Sequence, residues 1–207
     1  MRVLIVALAL LPVFWLSAQE TIPELARAGG EVISVVDAFE YAPSLADAYR
    51  NCEAVVLGRV VASRVHLAAD ESQIWTEYRI EIQRVLTAKQ GTEAPAPGTE
   101  IPVDVLGGNM LIEGKPFTYE INGMPTLYPE EKAFLFLTAS SAGAQTAGYR
   151  VPNGPEGMFR VRNGLVEPRD TGDKDHPSER YRGMLESEFE QEILRIAGEA
   201  EYEHPPY

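Results

Sequence analysis

One cysteine, Cys52, stands in 207 residues, so no disulfide can form within the chain and core packing must hold it together. No His or Lys lies near Cys52 in sequence to lower its pKa, and the residue reads as a small buried group at a strand start. Histidine is scarce as well: His66, His176 and His204 are the only three. They fall in a strand end, a loop and the tail, which supplies no positioned acid–base pair. No G-x-S-x-G, no H-E-x-x-H, no glycine-rich phosphate loop and no cysteine pair at metal spacing occurs. The sequence therefore implies no cofactor, and catalysis is the less favoured reading. Cations are outnumbered, with 18 Lys and Arg against 31 Asp and Glu, for a net charge of −13. Such acidity opposes phosphate backbones and anionic membrane surfaces, so nucleic acid is not an expected partner.

What is present begins with MRVLIVALALLPVFWLSAQE, in which Arg2 precedes an apolar run from Val3 to Leu16 and then the small residues Ser17 and Ala18. That is the order of a secretory signal peptide, and cleavage is expected after Ala18. The apolar run is shorter than the ~20 residues a membrane span needs, so no stable span is expected after cleavage. Loss of residues 1–18 removes Arg2 and no acid, which takes the charge from −13 to −14. The protein is expected outside the cytoplasm, in the periplasm or beyond. The remainder is expected to form one domain: a lead-in over 19–43, a β-barrel over 44–168, a linker and helix over 169–198 and a frayed tail over 199–207.

Ala54 to Leu67 is rich in β-branched residues, and Ile74 to Leu86 alternates Tyr78, Ile80 and Ile82 against Glu77, Arg79, Glu81 and Gln83. This is the period of a half-buried strand, and the polar run Ala69 to Gln73 joins the two as a long hairpin. Gly58 inside the first strand marks a bulge or bend that lets the sheet curl. Ser44 caps a short helix through Arg50. A third strand covers Glu100 to Leu106 and ends at Gly107-Gly108, and the residues from Asn109 to Pro129 read as a surface excursion with a short strand at Phe117 to Ile121. Ala133 to Leu137 is continuously apolar, as in a strand buried on both faces. Gly157 to Val161 and Leu165 to Glu167 form a second hairpin across Asn163-Gly164. Tyr181, Met184, Leu185, Phe189, Ile193, Ile196 and Ala197 then recur at three and four, which predicts a C-terminal helix capped by Ser178, stopped by Gly198 and packed on the barrel. The fold expected is mainly β, an OB-like curled barrel of about six strands.

The succession A-V-V-L-G-R-V-V, I-W-T-E-Y-R-I-E-I-Q-R-V-L, Gly107-Gly108, Pro129-Glu130-Glu131 into F-L-F-L, and G-M-F-R-V resembles bacterial secreted OB-like domains. These are distantly similar to the netrin and tissue metalloproteinase inhibitor (TIMP-like) module. The resemblance covers Leu45 to Val161 and implies a barrel with no assigned chemistry. The metalloproteinase inhibitors chelate zinc through an N-terminal cysteine tied by disulfides, whereas Cys52 is internal and unpaired, so that activity does not carry over.

Two sets of residues are candidates for a site. Trp75, Tyr78, Tyr119 and Tyr128 would line a sugar- or peptide-binding face, since OB-folds bind on a sheet face; aromatic residues in strands also serve as core and cross-strand pairs. Asp170, Asp173 and Asp175, with His176, put oxygen ligands within seven residues, as in a Ca²⁺ loop, although their spacing matches no EF-hand and acids before a helix also suit its dipole. The function expected is a non-catalytic binding or interaction module for a protein or glycan partner. The alternative is a secreted hydrolase whose residues meet only in the fold.

Overall fold

The structure is a computed structural model that describes residues 21–29, 31–35, 42–92, 94–121, 124, 126–140, 148–168 and 175–203. The expected signal segment lies outside them, as do Asp170, Asp173 and the last four residues. Ten strands and three α-helices are present among the described residues.

The hairpin consists of β2 (Ala54–Leu67) and β3 (Ile74–Ala88), antiparallel from Ala54↔Ala88 to Leu67↔Ile74. The register slips at Leu57/Gly58, where a Cβ on Gly58 would stand 2.3 Å from the Ile80 side chain. A larger residue would hold the strands apart there, so glycine permits the bend that curls the sheet. β4 (Glu100–Leu106) lies against β3, and β7 (Lys132–Ala139) lies on the other side of β2. The two-residue strand β8 (Tyr149–Arg150) bridges β4 in parallel and β7 antiparallel. The sheet thus closes into a five-stranded OB-like barrel, which leaves no strand edge at the seam. Its interior holds Val56, Val60, Ile80, Ile82, Val103, Leu135, Leu137 and Met158.

β7 is apolar on both faces because both are covered. Leu135 and Leu137 point into the barrel, while Phe134 and Phe136 point outward under α2 (Leu45–Asn51) and α3 (Glu186–Glu203). The Ser44 hydroxyl caps α2 by accepting from the Asp47 N–H at 3.1 Å. β9 (Met158–Arg162) and β10 (Leu165–Glu167) extend the sheet beyond β7, with Asn163 and Gly164 at positive φ in their turn.

Three segments differ from the sequence expectation. The expected C-terminal helix is two pieces: a 3-10 turn over Pro177–Tyr181, then α3, separated at Gly183 with φ +79°. Ser178 therefore lies inside the turn and does not cap α3. Gly198 does not stop α3, which continues to Glu203. The stretch from Asn109, expected as a surface excursion with one short strand, instead contributes two: β5 (Gly108–Ile112) and β6 (Lys115–Ile121) form a second sheet with β1 (Val32–Val35), in the order β1-β6-β5. The expected lead-in contains α1 (Ile22–Arg27), whose Ile22 and Ala26 are buried with Phe117, Tyr119, Ile74 and Leu106 in a core shared by the second sheet and the far end of the hairpin.

Candidate functional site

Where the second sheet meets the barrel, a groove of about 780 Å³ opens between β3, the end of β4, β6 and the segment carrying Leu127 to Pro129. Three of the four expected aromatic residues, Tyr78, Tyr119 and Tyr128, line it. Tyr78 stands on β3 between Ser63 and Val103, and its hydroxyl accepts from the Leu127 N–H at 3.3 Å. That bond ties the 126–129 segment to the barrel mouth, and burial raises the pKa of the phenol. Tyr119, on β6 between Ile33 and Gly108, is buried, and desolvation raises its pKa too. Tyr128 is 55% exposed at the lip. Its N–H donates to Glu131 Oε2 at 2.9 Å, and its carbonyl accepts from the Glu131 N–H at 3.0 Å, around a turn with Glu130 at φ +69°. Trp75 is not among the lining residues. It stands on the other parity of β3 from Tyr78 and packs, half-buried, beside the core of the second sheet.

The floor is shaped by the pair of glycines. Gly108 has φ +150°, and a Cβ there would lie 2.6 Å from Thr76 Oγ1; at Gly107, φ +108°, it would lie 3.1 Å from the Tyr119 carbonyl. The Thr76 hydroxyl donates to the Gly107 carbonyl at 2.6 Å. The glycines therefore let β4 pass into β5 directly over β3, which brings the second sheet close enough to form a wall.

No family model matches the chain, and no curated protein matches it either.

Sequence reasoning missed Arg160, the cation that lines the groove from β9. The signal was present in the alternation of G-M-F-R-V: Met158 points into the barrel and Phe159 out of it, so Arg160 shares the inward parity. Its Nη2 pairs with Glu167 at 3.2 Å, while its buried Nε has no hydrogen-bond partner.

Two other groups of reactive side chains among the described residues, around His176 and at Cys52, are enclosed. His176 Nδ1 accepts from the Ser178 N–H at 3.2 Å and lies 2.8 Å from its hydroxyl, and Nε2 lies 3.8 Å from Glu156 Oε1. Serine, histidine and glutamate in that order suggest a hydrolase, but all three are buried, and the space beside them is about 10 Å³. That volume admits one water at most, not a substrate. The imidazole caps the 3-10 turn. Asp175 is exposed, and among the described residues no group of three His, Cys, Asp or Glu is placed to hold a metal ion. Cys52 ends α2 with its thiol donating to the Tyr49 carbonyl at 3.3 Å, and burial pushes its pKa up to about 12. A thiol so protonated is a poor nucleophile.

Proposed function

We propose that this chain is an exported, non-catalytic binding module that takes its ligand in the groove between the barrel and the second sheet. The observation that carries the reading is the joint presence of Tyr78, Tyr119 and Tyr128 around one open cavity of about 780 Å³. Small-ligand sites fall at roughly 300–1,000 Å³ and combine apolar walls with a few placed polar groups. The tyrosines meet both needs, each offering a ring face and a hydroxyl. Export rests on the order of residues 1–20; among the described residues no helix is long and apolar enough to cross a membrane.

Amide chemical-shift mapping against a library of small saccharides, peptides and organic acids tests the site. Perturbations should cluster at Gly107–Asn109, Thr118–Ile121 and Thr126–Tyr128. Hits confined to the charged outer face of the hairpin, around Arg64 and Glu77, would overturn the groove reading. Mass spectrometry of the protein from its native host tests export, with a mature chain beginning at Gln19 expected and an intact Met1 on a cytoplasmic product counting against it.

A further inference from the structure

We propose that the groove holds a sugar acid, free or at the end of a saccharide, with its carboxylate on Arg160 and a ring face against Tyr128. This rests on the groove reading above and names what enters it. Tyr78 and Tyr119 stand on strands bonded along both edges at those positions, Tyr78 between Ser63 and Val103 and Tyr119 between Ile33 and Gly108. At those two positions the floor therefore offers side chains and no free strand edge for a peptide backbone to join. Among apolar groups such as Val105 and Met124, the lining sets hydroxyls and an amide, from Thr118, Thr126 and Asn109 together with the tyrosines. Such groups suit a ligand dense in its own hydroxyls. Tyr78 already accepts from the Leu127 N–H, which leaves its own proton to donate into the groove. Tyr128, more than half exposed, offers a flat ring on which the C–H face of a sugar can lie.

Charge selects the acid. Arg160 lines the groove and, among the described residues, makes one ion pair, through Nη2 to Glu167. A guanidinium carries five N–H donors, more than that one pair uses, in a fork that matches the two oxygens of a carboxylate. Glu120 also lines the groove, from β6, and the one cation of the lining, Arg160, stands apart from it on β9. With −13 on the whole chain, a long polyanion is repelled, and a ligand with one acid group is favoured over it.

Calorimetric titration of the purified protein with sodium glucuronate, its methyl ester, glucose and N-acetyl-triglycine tests this. Glucuronate should bind about tenfold more tightly than the ester or glucose, the scale of one charge-assisted bidentate contact. Arg160→Gln should erase that preference, and Tyr128→Ala should weaken all the sugars alike. If Arg160→Gln melts early, the comparison of acid with ester on the wild-type protein decides alone. Equal binding of glucose and glucuronate would overturn the role of Arg160, and tight binding of N-acetyl-triglycine would overturn the sugar. No binding of either sugar would overturn the proposal outright. In each of those cases shifts mapped to the groove by other compounds would leave the binding-module reading standing, whereas shifts mapped elsewhere would remove both.

Discussion

Cys52 and Gly108 show how single positions carry separate loads. Burial holds the Cys52 thiol protonated to about 12, against an ordinary 9.0, because a thiolate there would lose its hydration. The stability this confers is complete below about pH 9 and is lost as pH rises toward the folded value, since the unfolded chain releases the proton first. Three units would amount to about 4 kcal/mol. Urea midpoints should fall between about pH 8 and pH 10.5, and Cys52→Ser should shrink that fall. Some of it should persist, because burial also raises Tyr78, Tyr119 and Tyr181. Rapid reaction of the native thiol with a disulfide reagent would contradict this account. Gly108 bears strain and crowding together, whereas Gly91, φ +83°, has only open space beside it. Gly91→Ala should cost about 1 kcal/mol and Gly108→Ala roughly 2–4 kcal/mol, with the groove distorted as well. Thermal melts of the two variants, compared side by side, check the difference.

Among the elements, α3 has its apolar stripe built into the core. Phe189 lies against Phe134, Phe159 and Tyr181 with ring centroids 4.8–5.2 Å apart, and Ile193 beside it is buried. The start of the helix is pinned by Arg84 to Glu186 and Glu190, and by Lys132 to Glu186. Phe189→Ala should cost about 3–5 kcal/mol, a drop of roughly 10 °C in melting temperature for a chain of this size. A melt unchanged to within a degree or two would instead mark the stripe as a surface that docks a partner. The helix was legible because its stripe repeats over four turns. Its start was not, because Tyr181 and Met184 fit the same spacing while Gly183 at positive φ breaks the chain between them. α1 was missed although Thr21 and Glu24 stand at capping-box spacing, with the Thr21 N–H donating to Glu24 Oε2 at 2.8 Å. Six residues carry too short a periodicity to read.

For the molecule as a whole, the hairpin runs through two cores, with Ile80 and Ile82 in the barrel and Ile74 under the second sheet. One β3 therefore serves both, and calorimetry should show a single unfolding transition; two resolved peaks would mean that the second sheet folds as a separate unit. The long strands were readable from local alternation in the sequence. The groove is only half readable: its three tyrosines lie in or beside segments that the sequence marks, but Arg160 joins them through pairing with strands far away in the chain, and Trp75, close to Tyr78 in sequence, has the opposite parity. The seam of the barrel has a consequence for biosynthesis. β8 has two residues and comes last of the five barrel strands. A chain that emerges N-terminus first on the far side of a membrane must carry β4 and β7 with bare edges until residue 150 has followed. During that interval the half-made sheet can pair with any neighbouring chain, so slow passage or crowding of emerging chains before this point would penalise yield without altering the finished protein.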